Sequence, residues 1–249
     1  MRKGMLASGM ALLVGSLFSF SVVAQTPTYC VPEGPRVALT FDDGPWKNHT
    51  PEVLNILQDK GVLATFFVVG QRVRAAPDTL RLQHELGHEI GLHTDDHQSL
   101  VKLSPIAQNA EIQRNYDAVK AVLPDLPIKL WRAPYGAIPK PYPSVVRDLD
   151  LHHVGWSVDS EDWRKPGEAV FYANIFNRIK DGSIILMHEH TVDTRHLLPH
   201  LIDTLKTEGY QFVVVSDLHA PTCPVNLLEN QPELVDPQED KAPQNEELW

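Results

Sequence analysis

Apolar positions along the 249-residue chain gather into short runs, and the longer segments between them show helical spacing. Seven runs rich in apolar and β-branched residues recur, at 37–41, 65–69, 89–93, 129–133, 152–158, 183–188 and 211–215. They have strand length and are mostly apolar, as strands covered on both faces are. The intervening segments carry helix punctuation. Thr50-Pro51 offers a cap and a first-turn proline, with Gly61 as the stop. Ser104-Pro105 opens the longest segment, which runs toward Leu123 and is stopped by Pro124. Further helices are predicted at 77–86, 143–149, 168–180 and 194–208, the last closed by Gly209. Strands alternating with helices predict an α/β fold with parallel strands and helical crossovers. Periodicity alone leaves an open doubly wound sheet and an incomplete barrel both standing.

The two ends depart from this pattern. Residues 1–24 begin with Arg2 and Lys3, continue through an apolar stretch and finish with Val22 and Ala24 at small-residue positions. That is the layout of a secretory signal peptide, and its apolar stretch is short for a stable span. It predicts export to the periplasm or beyond, with no membrane anchor once the leader is removed. Residues 229–249 hold seven acidic side chains, one lysine and three prolines without apolar periodicity, which predicts an acidic disordered tail. The remainder, 25–228, is long enough for one large domain. Of the net charge of −10, the tail carries −6 and the leader +2, so about −6 remains on the core. An acidic core offers no phosphate-binding stripe and argues against a nucleic-acid partner. The two cysteines, Cys30 and Cys223, bracket the core and predict one structural disulfide in an exported protein.

Candidate chemistry lies just past the strands. The first run ends in Asp42 and Asp43, the third in His93 with His97 four residues on, and the fourth in Arg132. Asp159 and Asp162 follow the fifth, and His188 ends the sixth. In a parallel sheet or barrel the C-terminal strand ends share one face, which carries the site. Two imidazoles and one carboxylate form a three-ligand set with an open position, the pattern of a hydrolytic zinc ion. Asp43, His93 and His97 are therefore the predicted ligands, which leaves Asp42 as a base facing water. Arg132 would orient Asp42 through a charge-assisted hydrogen bond. His188 would act as an acid held by Asp162.

These residues fall in "TFDDG" (40–44), "HTDDH" (93–97), "RAPYG" (132–136), "DSEDW" (159–163) and "LMH" (186–188). Together they resemble the five ordered motifs of the polysaccharide deacetylases, the NodB-homology domain of carbohydrate esterase family four. The resemblance spans about 36–218 and implies a distorted, incomplete (β/α) barrel with about seven parallel strands. It implies the same ligands, base and acid, with Zn²⁺ as cofactor and Co²⁺ or another divalent transition metal as substitute. It adds the Tyr135 backbone N–H as an oxyanion donor, Trp163 as a wall beside the acid, and Asp159 as a brace for Arg132. Gln98 stands where proline often follows the second motif, and Ala133 where the third commonly has proline. The implied partner is an acetylated glycan of chitin-oligosaccharide or peptidoglycan type, cleaved at its N-acetyl groups. O-acetyl ester hydrolysis on xylan uses the same groups, and a non-catalytic glycan-binding protein on the same scaffold is the alternative outside enzymes. The sequence leaves the oligomeric state open.

Overall fold

The computed structural model describes residues 33–222. The leader at 1–24, the Cys30–Cys223 disulfide and the tail at 229–249 lie outside the described residues.

Among the described residues, eight strands form one sheet, and the pairings between them are parallel. They are β1 (Arg36–Asp42), β2 (Thr65–Val68), β3 (Glu89–Leu92), β4 (Leu130–Trp131), β5 (His152–His153), β6 (Val158–Asp159), β7 (Ser183–His188) and β8 (Gln211–Phe212). Seven follow the order β5-β4-β3-β2-β1-β7-β6, and β8 pairs with the start of β1. Seven helices complete the crossovers: α1 (Thr50–Asp59), α2 (Gly70–Ala75), α3 (Pro77–Glu85), α4 (Pro105–Val122), α5 (Ser144–Asp148), α6 (Glu168–Phe176) and α7 (Val192–Thr207). The result is the distorted, incomplete barrel that the resemblance implies.

Alternation along the strands separates two apolar regions. Phe66 and Val68 join Leu39, Phe41, Leu92 and the helix residues Leu54, Leu57, Ile112 and Leu201 in the main core. Phe67, between them, packs instead with Leu130 and Val154. Gly91 on β3 pairs with Phe67, and a Cβ there would fall 2.6 Å from the Phe67 ring. The glycine inside that strand is thus a space for an aromatic ring.

The expected fifth strand, 152–158, is two strands on opposite edges of the sheet: β5 pairs with β4, and β6 with β7. Between them Gly155 and Trp156 cross the seam of the barrel, where no ladder partner is available. Arg132 takes up the carbonyls there. Its Nε donates to Val154 O at 3.2 Å and its Nη2 to Gly155 O at 2.9 Å. Buried carbonyls must find a donor, so the guanidinium closes the barrel as well as serving the site.

Helix ends differ in smaller ways. Ser104 caps α4 as expected, its hydroxyl accepting from Ala107 N. Thr50 is not the cap of α1, because His49 holds that position. Its hydroxyl instead accepts from Trp46 N at 2.7 Å. The last helix starts at Val192, capped by Thr191, rather than at Thr194. The six-residue α2 goes unforecast because a single buried side chain, Val73, gives it no periodic face.

Candidate active site

The site begins with a backbone turn at the end of β1. In an extended strand, Asp42 and Asp43 would point to opposite faces. Asp43 instead has φ +75°, a left-handed conformation that aspartate tolerates better than most residues. Both carboxylates reach the same imidazole: His93 Nε2 is 3.6 Å from Asp42 Oδ2 and 3.5 Å from Asp43 Oδ1. His97, also left-handed at φ +63°, places Nε2 3.1 Å from Asp43 Oδ1. One ligand atom from each of Asp43, His93 and His97 lies within 4.8 Å of the others.

The donor set fits a divalent cation. His93 Nδ1 is 2.9 Å from Arg132 O, and a carbonyl only accepts, so the proton sits on Nδ1 and Nε2 presents its lone pair. Asp43 Oδ1 is buried without a hydrogen-bond partner. Burial works to raise the Asp43 pKa, but in the cation-free protein protonation of the adjacent His93 and His97 imidazoles holds it well below the usual carboxylate range.

The ligand loop is held from below. Glu111 on α4 is buried, and its Oε2 accepts from the N–H groups of Asp95 and Asp96, both at 3.1 Å. Asp95 in turn pairs with Arg74 at 2.8 Å and with Arg114 at 3.1 Å. Thr94 adds a third left-handed residue at φ +63°. Backbone strain of this kind clusters where surrounding contacts over-determine a functional geometry.

On one flank, Arg132 Nη1 donates to Asp42 Oδ1 at 2.7 Å and to Thr40 Oγ1 at 2.9 Å. Both charged partners are buried, so the pair orients Asp42 strongly. On the other flank, His188 lies opposite Asp42 in the β1–β7 register. Its Nδ1 is 2.8 Å from Asp162 Oδ1. Asp162 also accepts from His188 N at 2.7 Å, Thr191 Oγ1 at 2.8 Å and Thr194 Oγ1 at 2.5 Å. Burial alone would lower the His188 pKa. Hydrogen bonding and charge from Asp162, helped by Asp42 and Asp43, instead raise it to about 9.

These groups share a cavity of about 380 Å³ with Tyr135, Trp156, Trp163, Leu186 and His190. Tyr135 has φ +59°, is 69% exposed and sets its ring edge-on to His97 at 4.8 Å. Trp163 is 51% exposed and lines the same cavity as His188. One expected contact is absent. Asp159 does not brace Arg132: its Oδ1 accepts from Glu161 N at 2.8 Å, and Thr40, Asp42, Val154 and Gly155 take the guanidinium. Asp159 lines the cavity, and burial raises its pKa.

Sequence reasoning missed Trp156, Glu111, Thr191, Thr194 and Glu189. Trp156 was hidden inside an apparent strand, with Gly155 the one signal of a break. Among the remaining histidines, His88 is a packing residue. It accepts from Ala64 N at 3.2 Å, and burial pushes it down to about 4.

The polysaccharide deacetylase family model matches residues 31–154. A chitooligosaccharide deacetylase of Bradyrhizobium is 32% identical over 197 residues, covering 74% of this chain and 90% of that protein. The chain belongs to the polysaccharide deacetylase family. Within the family, the peptidoglycan-N-acetylglucosamine deacetylase PgdA of Listeria monocytogenes is 36% identical over 195 residues, covering 76% of this chain. The chain spans about two fifths of that relative's length, 41%. The solved structure of the peptidoglycan deacetylase PdaC from Bacillus subtilis aligns with TM-score 0.69 and 32% identity, covering 75% of this chain and 91% of that one. The family-model match ends before Asp162 and His188, whose pairing rests on the geometry above.

Proposed function

We propose that this deacetylase-family protein removes N-acetyl groups from hexosamine units of a glycan, chitin oligosaccharide or peptidoglycan in type, and releases acetate. The observation that carries the reading is the convergence of Asp43, His93 and His97 between two independent pairs, Asp42–Arg132 and His188–Asp162. Those three residues would hold Zn²⁺, or Co²⁺ in its place. When bound, the cation supplies Lewis-acid polarisation of the acetyl carbonyl and lowers the pKa of a water.

The chain's own residues divide the remaining work. Asp42, oriented through Oδ1 by Arg132, takes the proton of the water that attacks the acetyl carbon. The Tyr135 N–H donates to the oxyanion that develops on the former carbonyl oxygen. As the carbon–nitrogen bond breaks, His188 gives its proton to the departing amine. Its pKa of about 9 keeps it protonated at neutral pH, which an amide leaving group requires far more than an ester does. Trp163 and Trp156 wall the cavity against water on the acid side. A purely binding role is disfavoured because base and acid are both present, each with its own charged partner.

We further propose that the reaction takes place outside the cytoplasm, since the chain opens on a leader-like segment. Among the described residues no helix is long and apolar enough to cross a membrane.

The test is product analysis with wild type, Asp42→Asn and His97→Ala on chitin oligomers and on acetylxylan. Wild type is expected to lose acetyl groups from the N-acetylated oligomer. Asp42→Asn should retain zinc with turnover reduced at least a hundredfold, and His97→Ala should lose zinc first. Release from acetylxylan alone would transfer the reaction to ester substrates.

A further inference from the structure

Glu189 follows His188 directly, yet none of the five motifs contains it. It is fully buried. One carboxyl oxygen, Oε2, accepts from the Thr50 hydroxyl, which in turn accepts from Trp46 N at 2.7 Å. The other, Oε1, has no hydrogen-bond partner. That oxygen lies against the backbone of the turn after the Asp42–Asp43 pair: a Cβ at Gly44 would fall 1.5 Å from Oε1 and 2.5 Å from Cδ. Gly44 has no positive φ, so a turn conformation does not demand glycine there. The carboxyl of Glu189 demands it. The main chain of Glu189 is fixed as well, because Arg195 Nη1 donates to its carbonyl at 3.3 Å and to that of His190 at 2.8 Å.

We propose that Glu189 is a positioning residue for the cation site: its buried side chain presses on Gly44 and, through Thr50, on Trp46. In this way it holds the Asp42–Asp43 turn of β1 at a fixed distance from the His188 strand end. It touches neither substrate nor cation. The inference rests on the metal-dependent reading above. Its physical basis is close packing. The turn carries a left-handed Asp43, and such a conformation persists only where neighbours over-determine it. Four points fix this one: the β1–β7 ladder, the Val69 N to Gly44 O bond at 2.8 Å, the Trp46–Thr50 bond and the Glu189 contact. Burial raises the Glu189 carboxyl to about 8, so glutamine at this position is a close copy in shape and charge at neutral pH.

The experiment is a double-mutant cycle on zinc affinity, measured by competition with a chromophoric chelator under conditions where near-ultraviolet dichroism shows every variant folded. Acetate release is measured in parallel. Glu189→Ala and Gly44→Ala should each weaken zinc binding at least tenfold, the first by freeing the turn and the second by driving it off Glu189. Glu189→Gln should stay within about threefold of wild type. The double variant Gly44→Ala/Glu189→Ala should bind zinc at least threefold more tightly than Gly44→Ala alone, because the new methyl enters vacated space. Contact pairs show such non-additivity, whereas a general loss of stability simply accumulates. Wild-type zinc affinity in Glu189→Ala, or purely additive losses in the double variant, would overturn the proposal while leaving the metal reading intact. A wild type that binds no zinc would overturn both.

Discussion

At the scale of single residues, environment assigns two aspartates and a histidine to different tasks. Asp43 is half-buried beside two imidazoles, Asp42 is clamped by Arg132, and His188 is charged by Asp162. The His188 arrangement has a testable sign. Its folded-state pKa is raised from 6.5 to about 9, so the protonated form persists above neutrality. The stability it contributes to the cation-free protein is full below pH 6.5 and is lost as pH rises through about 9. Asp162→Asn removes the first raising cause and leaves burial, which lowers the value, in place. The alkaline limb of kcat/KM should therefore move to lower pH by at least one unit, with maximal rate down ten- to a hundredfold. A pH–rate profile in which the limb stayed in place would remove His188 from the acid role. Sequence alone shows these residues as types at strand ends. It does not show that Thr191 and Thr194 also donate to Asp162, because hydroxyls at a helix N-terminus carry no motif.

At the scale of elements, the strands were legible wherever they are long and covered on both faces, as β1 and β7 are. The run 152–158 was misread because composition reports apolar burial and not the neighbour that supplies hydrogen bonds. His152 and Val158 pair on opposite edges of the same sheet. Helix α4 was legible from its Ser-Pro start, whereas α2 is one short turn set by the packing of its neighbours. Gly91 shows what one glycine contributes to β3. A valine there would press into the Phe67 ring, which lies 2.6 Å from the new Cβ, and Leu130 stands 3.3 Å away on the same side. We expect Gly91→Val to cost about 1–3 kcal/mol by overpacking, read from the midpoint of a urea unfolding curve at unchanged slope. An unaltered midpoint would mean that the barrel interior has room to spare at this layer.

At the scale of the whole molecule, the barrel gathers five strand ends at one mouth, and the two ends of the described segment, near Arg36 and Ala220, are drawn together at the opposite side. Arg36 on β1 donates through Nη1 to Leu218 O at 3.2 Å and also to Ala220 O at 2.5 Å. This clasp supports the proposal that Cys30 and Cys223, a few residues beyond each end of it, form a disulfide. Alkylation without reduction should leave both thiols unmodified by mass, and full labelling of two free thiols in oxidised protein would refute the bridge. The mouth is where sequence reading was strongest, because each motif ends a strand and parallel topology brings those ends together. It was weakest for the groups that hold the motifs in place, Glu111 under the ligand loop and Glu189 under the aspartate turn, since neither falls in a motif and neither carries chemistry of its own. We propose that Asp43, His93 and His97 grip one cation without which no acetyl group is released. The direct measurement is acetate released from an N-acetylated chitin oligomer by chelator-treated protein, before and after adding one equivalent of Zn²⁺. No release is expected before addition and full recovery after it, with Co²⁺ substituting. Undiminished release from protein shown to be free of metal would rule out the cation requirement.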